Sequence, residues 1–310
     1  MLLARAALFL RNRHPVRYPA RCQALKRAMA STDAVLPATQ VRRQSCNLHT
    51  AVVTALTPLC CRLQLLYFND TFALEHTATV LRVAEASGAD TPQPSVVVDA
   101  TVFYPAGGGQ SADMGHLLSD SGDKVAVTDV KLRDGLVLHI LETLPAWLTT
   151  GARVKLRVDG PTRLMHARIH SAGHLLDVCM ARCGYDGTAL VPTKGMHSPA
   201  EAYVEYSGKV PPEDQEPLVA RLNAALAAAV EAGGPVRAGV HAYDEAAALC
   251  GGSLPTYIAQ GSTPRVVVME GAPGCPCGGT HVNDVRQVGA VTVTGVRVKK
   301  GVTRISYTVT

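Results

Sequence analysis

Two separate segments of the chain carry histidine and cysteine side chains at spacings that suit metal binding. His170 and His174 are four residues apart in RIHSAGHLLD, so on a helix both imidazoles project from one face, one turn apart. Cys277 and His281 lie in CPCGGTH, where the glycines let the backbone curl so that both side chains point inward. Three imidazoles and a thiolate favour Zn²⁺ over cations that prefer oxygen ligands. We therefore predict a zinc site formed by these four residues.

Neighbouring residues leave two alternatives open within this ligand set. His166 lies one further turn before His170, so either adjacent pair of the row could supply the two imidazoles. Cys275 competes in the same way with Cys277, and we favour Cys275 as a loop thiol. A pair of histidines on one helix face is by itself weak evidence for a metal site. The second pair of residues, on a glycine-bearing loop, strengthens the prediction of metal binding.

The elements before the first histidine pair are predicted to be strands. From about Leu63 to Val158, short segments rich in β-branched and aromatic residues alternate with clusters of Gly, Pro, Asp and Ser. Short strands at this spacing predict a small barrel or sandwich. The predicted strands are RLQLLYF (62–68), HTATVLRV (76–83), SVVVD (95–99), KVAVTDVK (124–131), GLVLHILE (135–142) and ARVKLRV (152–158).

After Asp159 the pattern changes to helices set against strands. Asp159 suits an N-cap, Pro161 a first turn and Gly184 a position just past the end, which predicts a helix over residues 161–182. A second, alanine-rich helix is predicted over 213–232, and a short one over 244–250. The remaining predicted strands are 202–206, 236–242, 265–270, 290–298 and 303–309.

The fold class that follows is α+β, with a small N-terminal β-barrel before a zinc-containing α+β domain. The 310 residues are 47% hydrophobic, which is enough for two modest domains. We predict a basic extension at residues 1–62, the barrel domain at 63–158 and the zinc domain at 159–310.

Charge is concentrated in the first fifty residues. That stretch contains nine Lys and Arg and one acid, Asp33, which gives it a net charge of about +8. Since the whole chain has a net charge of +5, residues 51–310 sum to about −3. Global charge therefore gives no argument for nucleic-acid binding.

The composition of the first fifty residues is typical of a mitochondrial import segment, whereas a start at Met29 would give a cytoplasmic protein. The apolar run at 1–10 is too short to span a bilayer and contains Arg5, and nine scattered cysteines favour reduced thiols.

Three separated motifs carry a resemblance to a known family. HSAGH and CGGTHV, together with TVFYPAGGGQSADMG at residues 101–115, resemble the editing domain of alanyl-tRNA synthetase and its free-standing AlaX-type relatives. The resemblance runs from about Leu66 to the C-terminus. It implies a β-barrel-like first domain, a zinc-containing α+β editing domain and hydrolysis of alanine tRNA wrongly esterified with serine or glycine. Because no segment resembles the synthetase's aminoacylation domain, we expect hydrolysis without aminoacylation. One departure is Gly173, where the synthetase commonly has threonine.

The resemblance also implies residues that act on the substrate. A polar residue lies beside the ester shortly after the HxxxH helix in this family, and LVPTKGMH places Thr193 there. We predict Thr193 and Gln110 as catalytic, the latter because the preceding glycines let backbone amides approach an ester or phosphate. The predicted substrate-binding residues are Lys194, Gly278, Gly279 and Thr280, and cations predicted to meet tRNA phosphates are Lys194, Arg297, Lys299, Lys300 and Arg304.

Two other functions stay open at the level of sequence. Threonyl-type editing domains carry a similar His/Cys arrangement and would remove serine from threonine tRNA. Four protein ligands would also complete the coordination of a tetrahedral zinc ion, as in structural sites. The metal would then only stabilise the fold of a tRNA-binding module. Catalysis would require either that one ligand is loosely bound, with His281 the candidate, or that the coordination expands toward the substrate. Nothing in the sequence indicates an oligomeric state.

Overall fold

The structure is a computed structural model that describes residues 63–87, 93–185, 187–269 and 271–310. The segment predicted as a basic extension, residues 1–62, lies outside these ranges, and so do the predictions made for it. Among the helices in the described ranges, none is both long and apolar enough to cross a bilayer.

The described chain begins with a short strand and a turn rather than the long strand predicted over 62–68. Strand β1 (Gln64–Leu65) is followed at once by a 3-10 turn, Leu66–Phe68. The turn directs Tyr67 into the core, where its ring packs edge-on against Tyr104 with 5.3 Å between centroids. The strand prediction for 62–68 is therefore wrong over most of its length, because burial of this aromatic outweighs the local β-propensity.

Six strands then close into the predicted barrel, in the order β2-β3-β7-β6-β5-β8. Alternate residues of each strand face the interior, and the enclosed side chains are mostly valine and leucine. Between β3 and β5 the two-residue strand β4 pairs in parallel with β1. The strands are β2 (Glu75–Ala84), β3 (Ser95–Val98), β4 (Ala100–Thr101), β5 (Gly115–Leu118), β6 (Lys124–Arg133), β7 (Leu136–Leu141) and β8 (Arg153–Val158).

The long helix α1 (Gly160–Arg182) follows directly after the barrel. The Asp159 carboxylate caps it by accepting a hydrogen bond from the Thr162 amide at 2.8 Å, and Pro161 stands in the first turn. The helix ends at Arg182, as predicted, and Gly184 follows it at φ +92°. It begins one residue before the predicted start. The change from strands to helix falls at 158–160, whereas the division into two domains there remains a prediction.

Two antiparallel sheets and two further helices complete the α+β part. A four-stranded sheet has the order β14-β15-β10-β9, and a three-stranded sheet has the order β11-β12-β13. The α+β class with a barrel is confirmed. The elements are β9 (Val191–Ser198), β10 (Glu201–Ser207), α2 (Pro212–Ala232), β11 (Val236–Val240), α3 (Tyr243–Leu249), β12 (Arg265–Met269), β13 (Cys275–Pro276), a 3-10 turn (Val285–Val288), β14 (Val291–Lys299) and β15 (Val302–Val309).

Strand β9 is an element that sequence patterning missed. It contains Pro192 and Gly195, which are both unfavourable inside a strand. The structure accommodates the proline because β9 lies at the edge of its sheet, where a missing amide donor costs least. This strand forms one wall above the middle of α1.

Candidate metal centre and its cavity

Helix α1 and the loop after β13 bring the four predicted ligands together. The ligand cluster, His170, His174, Cys277 and His281, has one donor atom from each residue within 4.8 Å of the others. The Cys277 Sγ atom lies 3.5 Å from His170 Nε2 and 3.4 Å from His281 Nε2. A tetrahedral ion at ordinary zinc distances has ligand atoms about 3.3–3.6 Å apart. The cluster therefore fits a small metal ion.

The alternative ligands named from the sequence stand apart from this cluster. His166 is buried one turn earlier on α1, and its Nδ1 atom has no hydrogen-bond partner among the described residues. Cys275 is exposed in β13. Within the described residues, neither belongs to the group of side chains that could hold an ion.

Burial keeps the imidazoles of the ligand cluster neutral, which is the form that binds metals. It lowers the pKa of His174 to about 4, with a smaller effect from the positive charge of Arg265. It also lowers the pKa of His170 and of His281 well below the usual value, and neighbouring imidazoles add to the effect. Burial raises the pKa of the Cys277 thiol, opposed by the Gly279 amide and Arg265. A divalent cation between these atoms would reverse that shift and favour the thiolate.

Gln110 orients the imidazole of His170 through the ring nitrogen that faces away from the ligand cluster. Its Oε1 atom accepts hydrogen bonds from His170 Nδ1 at 2.8 Å and from the Thr280 amide at 3.0 Å. Its Nε2 atom donates to the Thr280 hydroxyl at 2.9 Å. With Nδ1 as the donor, the Nε2 atom of His170 carries the lone pair that faces Cys277. Gln110 thus acts in this structure as a positioning residue for a ligand.

The fourth ligand and its loop are held by a second set of hydrogen bonds. The Ser171 hydroxyl lies 3.2 Å from His281 Nδ1, and the Thr71 hydroxyl accepts from the His281 amide. The guanidinium of Arg265 donates to the carbonyls of Cys277 and Gly279, both at 2.8 Å. These contacts fix the loop in the curled form that points both of its ligands at α1.

A fourth histidine, His197 on β9, packs directly on the ligand cluster. Its ring stacks on His170 with 4.3 Å between centroids and 17° between planes. Its Nδ1 atom lies 2.7 Å from the Tyr307 hydroxyl, which donates its proton to the Ile169 carbonyl. The hydroxyl therefore accepts from Nδ1, and the Nε2 atom of His197 carries the lone pair.

Missing side chains make room for these stacked rings. A Cβ atom at Gly173 would lie 2.4 Å from the His197 ring, and one at Gly279 would lie 2.2 Å from the His170 ring. A threonine at position 173, as in the synthetase pattern, would therefore displace His197 from this position. The departure from the synthetase pattern at Gly173 thus leaves space for the His197 ring that stacks on His170, a contact that the sequence did not reveal.

A cavity of about 870 Å³ opens above the ligand cluster and includes His170, His174 and Cys277 in its lining. Among residues predicted to contact substrate, Thr193, Lys194 and Gly278 line this cavity. The Thr193 hydroxyl donates to the Glu205 carbonyl at 3.0 Å. Gln110, Gly279 and Thr280 instead lie buried behind the ligands, where they support the loop.

The sequence analysis missed three other residues of the site, which are His197, Asp177 and Arg265. Asp177 lies on α1 one turn after His174 and lines the same cavity. A search for titratable residues one helical turn beyond a ligand pair would have found Asp177, whereas His197 and Arg265 required the tertiary structure.

Two family models match parts of this chain. Residues 39–162 match the model for class II tRNA synthetases (A), and residues 265–306 match the threonyl and alanyl tRNA synthetase second additional domain. The alanine–tRNA ligase of Methanothrix thermoacetophila is 32% identical over 247 residues, which are 78% of this chain and 25% of that protein. The chain is a relative of alanine–tRNA ligases. The resemblance predicted from the three motifs is confirmed.

Other alanine–tRNA ligases match over similar or shorter segments. The one from Frankia casuarinae is 34% identical over 66% of this chain and 23% of its own length. The one from Pyrococcus furiosus is 38% identical over 38% of this chain and 12% of its own length. The chain spans about a quarter or less of the alanine–tRNA ligases it matches here.

The matched regions can be placed on the fold. The described part of the class II synthetase match covers the barrel and the first residues of α1. The match to the second additional domain begins at Arg265 and includes Cys277 and His281. The similarity to the second additional domain of threonyl and alanyl tRNA synthetases thus extends to the loop that holds two of the four residues of the ligand cluster.

Proposed function

We propose that this chain is a zinc-dependent hydrolase that removes serine or glycine from wrongly charged alanine tRNA. The relation to alanine–tRNA ligases and the match to the second additional domain support a role in tRNA editing. The observation that carries the hydrolase proposal is the ligand cluster lying in the wall of an open cavity. Zinc is the ion that three imidazoles and one thiolate favour.

The metal would be held by His170, His174, Cys277 and His281. When bound, zinc supplies a Lewis acid that polarises an ester carbonyl or lowers the pKa of water. The residues around it keep the imidazoles neutral and the loop fixed, so that the cavity is formed before the substrate enters.

His197 is the residue that can orient a water molecule in this cavity. Its ring lines the cavity, and its Nε2 atom has no hydrogen-bond partner among the described residues. Burial lowers the pKa of His197 to about 3, with His174 adding to the shift. The ring therefore stays neutral at physiological pH and can accept a hydrogen bond from water at Nε2.

Discrimination among amino acids needs hydrogen bonding rather than size. Serine is larger than alanine and glycine is smaller, so a steric sieve cannot accept both and reject alanine. A site that hydrogen-bonds the serine hydroxyl leaves polar groups unpaired against an alanine methyl. Thr193 is our candidate, because it lines the cavity and its hydroxyl oxygen can still accept a hydrogen bond while donating to Glu205.

The tRNA would approach across the exposed cations of the β14–β15 hairpin and β9. Arg297, Lys299 and Lys300 border a surface depression of about 370 Å³. Arg304 is less available, because it pairs with Glu205 at 2.8 Å and lies over the Tyr203 ring. Phosphate contacts by the free cations would make tRNA binding sensitive to salt.

The test presents purified, metal-loaded protein with alanine tRNA carrying serine, glycine or alanine, and follows release of the amino acid. We expect release of serine and glycine at least 10-fold faster than release of alanine. The Cys277→Ala variant should lose activity, whereas Cys275→Ala should retain it. Equal hydrolysis of the alanine ester would refute proofreading, and a preference for threonine tRNA carrying serine would assign the threonyl-type function.

A second candidate is a tRNA-binding module in which the metal only stabilises the fold. The close approach of all four ligand atoms favours it, since a closed tetrahedral ion is typical of structural sites. Protein with one bound zinc per chain that binds tRNA but releases no amino acid would support this candidate over the hydrolase.

A further inference from the structure

We propose that Asp177 binds the α-ammonium group of the aminoacyl ester. This inference rests on the proposed function, since it names the substrate group that the same cavity recognises beside the metal centre. It concerns a residue that lies outside the ligand cluster.

The position of Asp177 on α1 places it beside the reacting group. It follows His174 by three residues, so the two side chains project from the same face of the helix, with Cβ atoms roughly 5–6 Å apart. Both residues line the 870 Å³ cavity. In an aminoacyl ester the ammonium-bearing carbon is bonded directly to the carbonyl carbon. A carbonyl held at the metal centre therefore brings the ammonium group within reach of a side chain one helical turn away.

The carboxylate of Asp177 is held in place by one hydrogen bond. Tyr206, which is buried on β10, donates to Oδ1 at 2.6 Å. The other carboxylate oxygen, Oδ2, has no hydrogen-bond partner among the described residues, and Asp177 forms no ion pair with them. One oxygen is thus fixed by the fold, whereas the other is unpaired among the described residues, and Asp177 itself lines the cavity.

The charge of Asp177 distinguishes it from the rest of the cavity wall. Among the described residues that line this cavity, it is the only carboxylate. Burial raises the pKa of Asp177 to about 6, opposed by the Tyr206 hydrogen bond, so the group is largely an anion above neutral pH. A partly buried anion that forms no ion pair with the described residues is unfavourable, and a ligand ammonium would supply the missing charge.

The first part of the test compares substrates with and without the ammonium group. N-acetylseryl-tRNA differs from seryl-tRNA in that acetylation removes the positive charge and adds an acetyl group, so the Asp177→Asn variant serves to separate the effect of charge from that of size. We expect the wild-type protein to prefer the free amine and Asp177→Asn to lose that preference, with hydrolysis of seryl-tRNA lowered roughly 10- to 100-fold. Asparagine retains an oxygen that accepts from Tyr206. Tyr206→Phe, which keeps the charge and removes the hydrogen bond, should retain the preference.

The second part measures binding, so that it remains informative if the protein hydrolyses nothing. The probe is 3′-deoxy-3′-(serylamino)adenosine, a stable amide analogue of a charged tRNA end, compared with its N-acetyl form by calorimetry. Tighter binding of the free amine by the wild type but not by Asp177→Asn would support the inference even without catalysis. Equal binding of the two probes by the wild type, or an equal loss of both in Asp177→Asn, would overturn it. Hydrolysis that Asp177→Asn leaves unchanged would overturn it while leaving the proposed function intact.

Discussion

Two groups of buried polar side chains lie along helix α1 and use their hydrogen-bonding atoms in opposite ways. In the arginine cluster, Arg163 forms an ion pair with Asp113 and donates to the carbonyls of Thr71 and Val102. Asp113 also accepts from the Tyr104 amide at 2.6 Å. Donors meet acceptors throughout, so the arginine cluster is complete within the protein.

The ligand cluster, two turns further along the helix, is arranged differently. Neutral imidazole nitrogens and the Cys277 sulfur converge within 4.8 Å of one another. Their outer nitrogens are satisfied where His170 bonds to Gln110 and His281 to Ser171. The convergent atoms are electron-pair donors that face each other.

The difference separates a buried polar cluster that stabilises the fold, the arginine cluster, from one whose geometry suits a bound ion, the ligand cluster. Converging electron-pair donors are mutually repulsive without a cation, whereas a paired guanidinium and carboxylate satisfy one another. The same helix therefore carries a structural cluster near its start and, near its middle, a cluster that could hold a metal ion.

The largest expected effect comes from removing a metal ligand. His170→Ala and Cys277→Ala should each lose stoichiometric zinc, because three ligands cannot maintain the closed site. His166→Ala and Cys275→Ala should retain it. Metal content measured by mass spectrometry after gel filtration checks this, and the reverse pattern would move the site one turn along α1.

The next largest effect is on the stability of the arginine cluster. Arg163→Met should lower the free energy of unfolding by about 3–5 kcal/mol, because it leaves the Asp113 carboxylate buried and unpaired. The control Arg304→Met removes an exposed ion pair and should cost about 0–1 kcal/mol. Urea denaturation measures both, and equal losses in the two variants would contradict the comparison.

A smaller effect is expected behind the ligand cluster. Gln110→Met removes the acceptor for His170 Nδ1 and should weaken zinc binding about 10- to 100-fold. Gln110→Glu keeps an oxygen acceptor and should retain most of the affinity. Competition with a chromophoric chelator measures the two dissociation constants. Unchanged affinity in Gln110→Met would exclude the positioning role.

The smallest effect concerns a barrel histidine that the protein itself satisfies. His139 is buried, with its nitrogens 2.8 Å from the Thr101 hydroxyl and 3.2 Å from the Val96 carbonyl. Burial lowers its pKa from 6.5 to about 4, so below pH 6.5 the unfolded chain binds a proton that the folded protein does not. Its contribution to stability is therefore present above pH 6.5 and lost as pH falls toward 4.

The measurement compares unfolding of wild type and His139→Gln at pH 7 and pH 5. Between these values the wild type should lose about 1–2 kcal/mol more than the variant. Parallel losses would show that His139 is not the group that titrates.

Local patterns predicted much of the fold but failed where packing overrides propensity. The cap at Asp159 and the first-turn Pro161 predicted α1 to within one residue. The hydrophobic segment at 62–68 was predicted as a strand, yet only Gln64–Leu65 is one, and burial of Tyr67 goes with a 3-10 turn at Leu66–Phe68. Strand β9 was missed because Pro192 and Gly195 disfavour strands, and only its place at a sheet edge makes it possible.

The sequence by itself predicted the four residues of the ligand cluster and the family, and left only His166 and Cys275 open as alternative ligands. Helical periodicity aligns His170 with His174, and a short glycine loop aligns Cys277 with His281, so each pair is set by local geometry. Only the tertiary structure decided what surrounds them. It placed Gln110 behind His170, stacked His197 on His170 and placed Asp177 in the wall of the same cavity. These roles depend on segments far apart in the chain, whose approach no local period encodes.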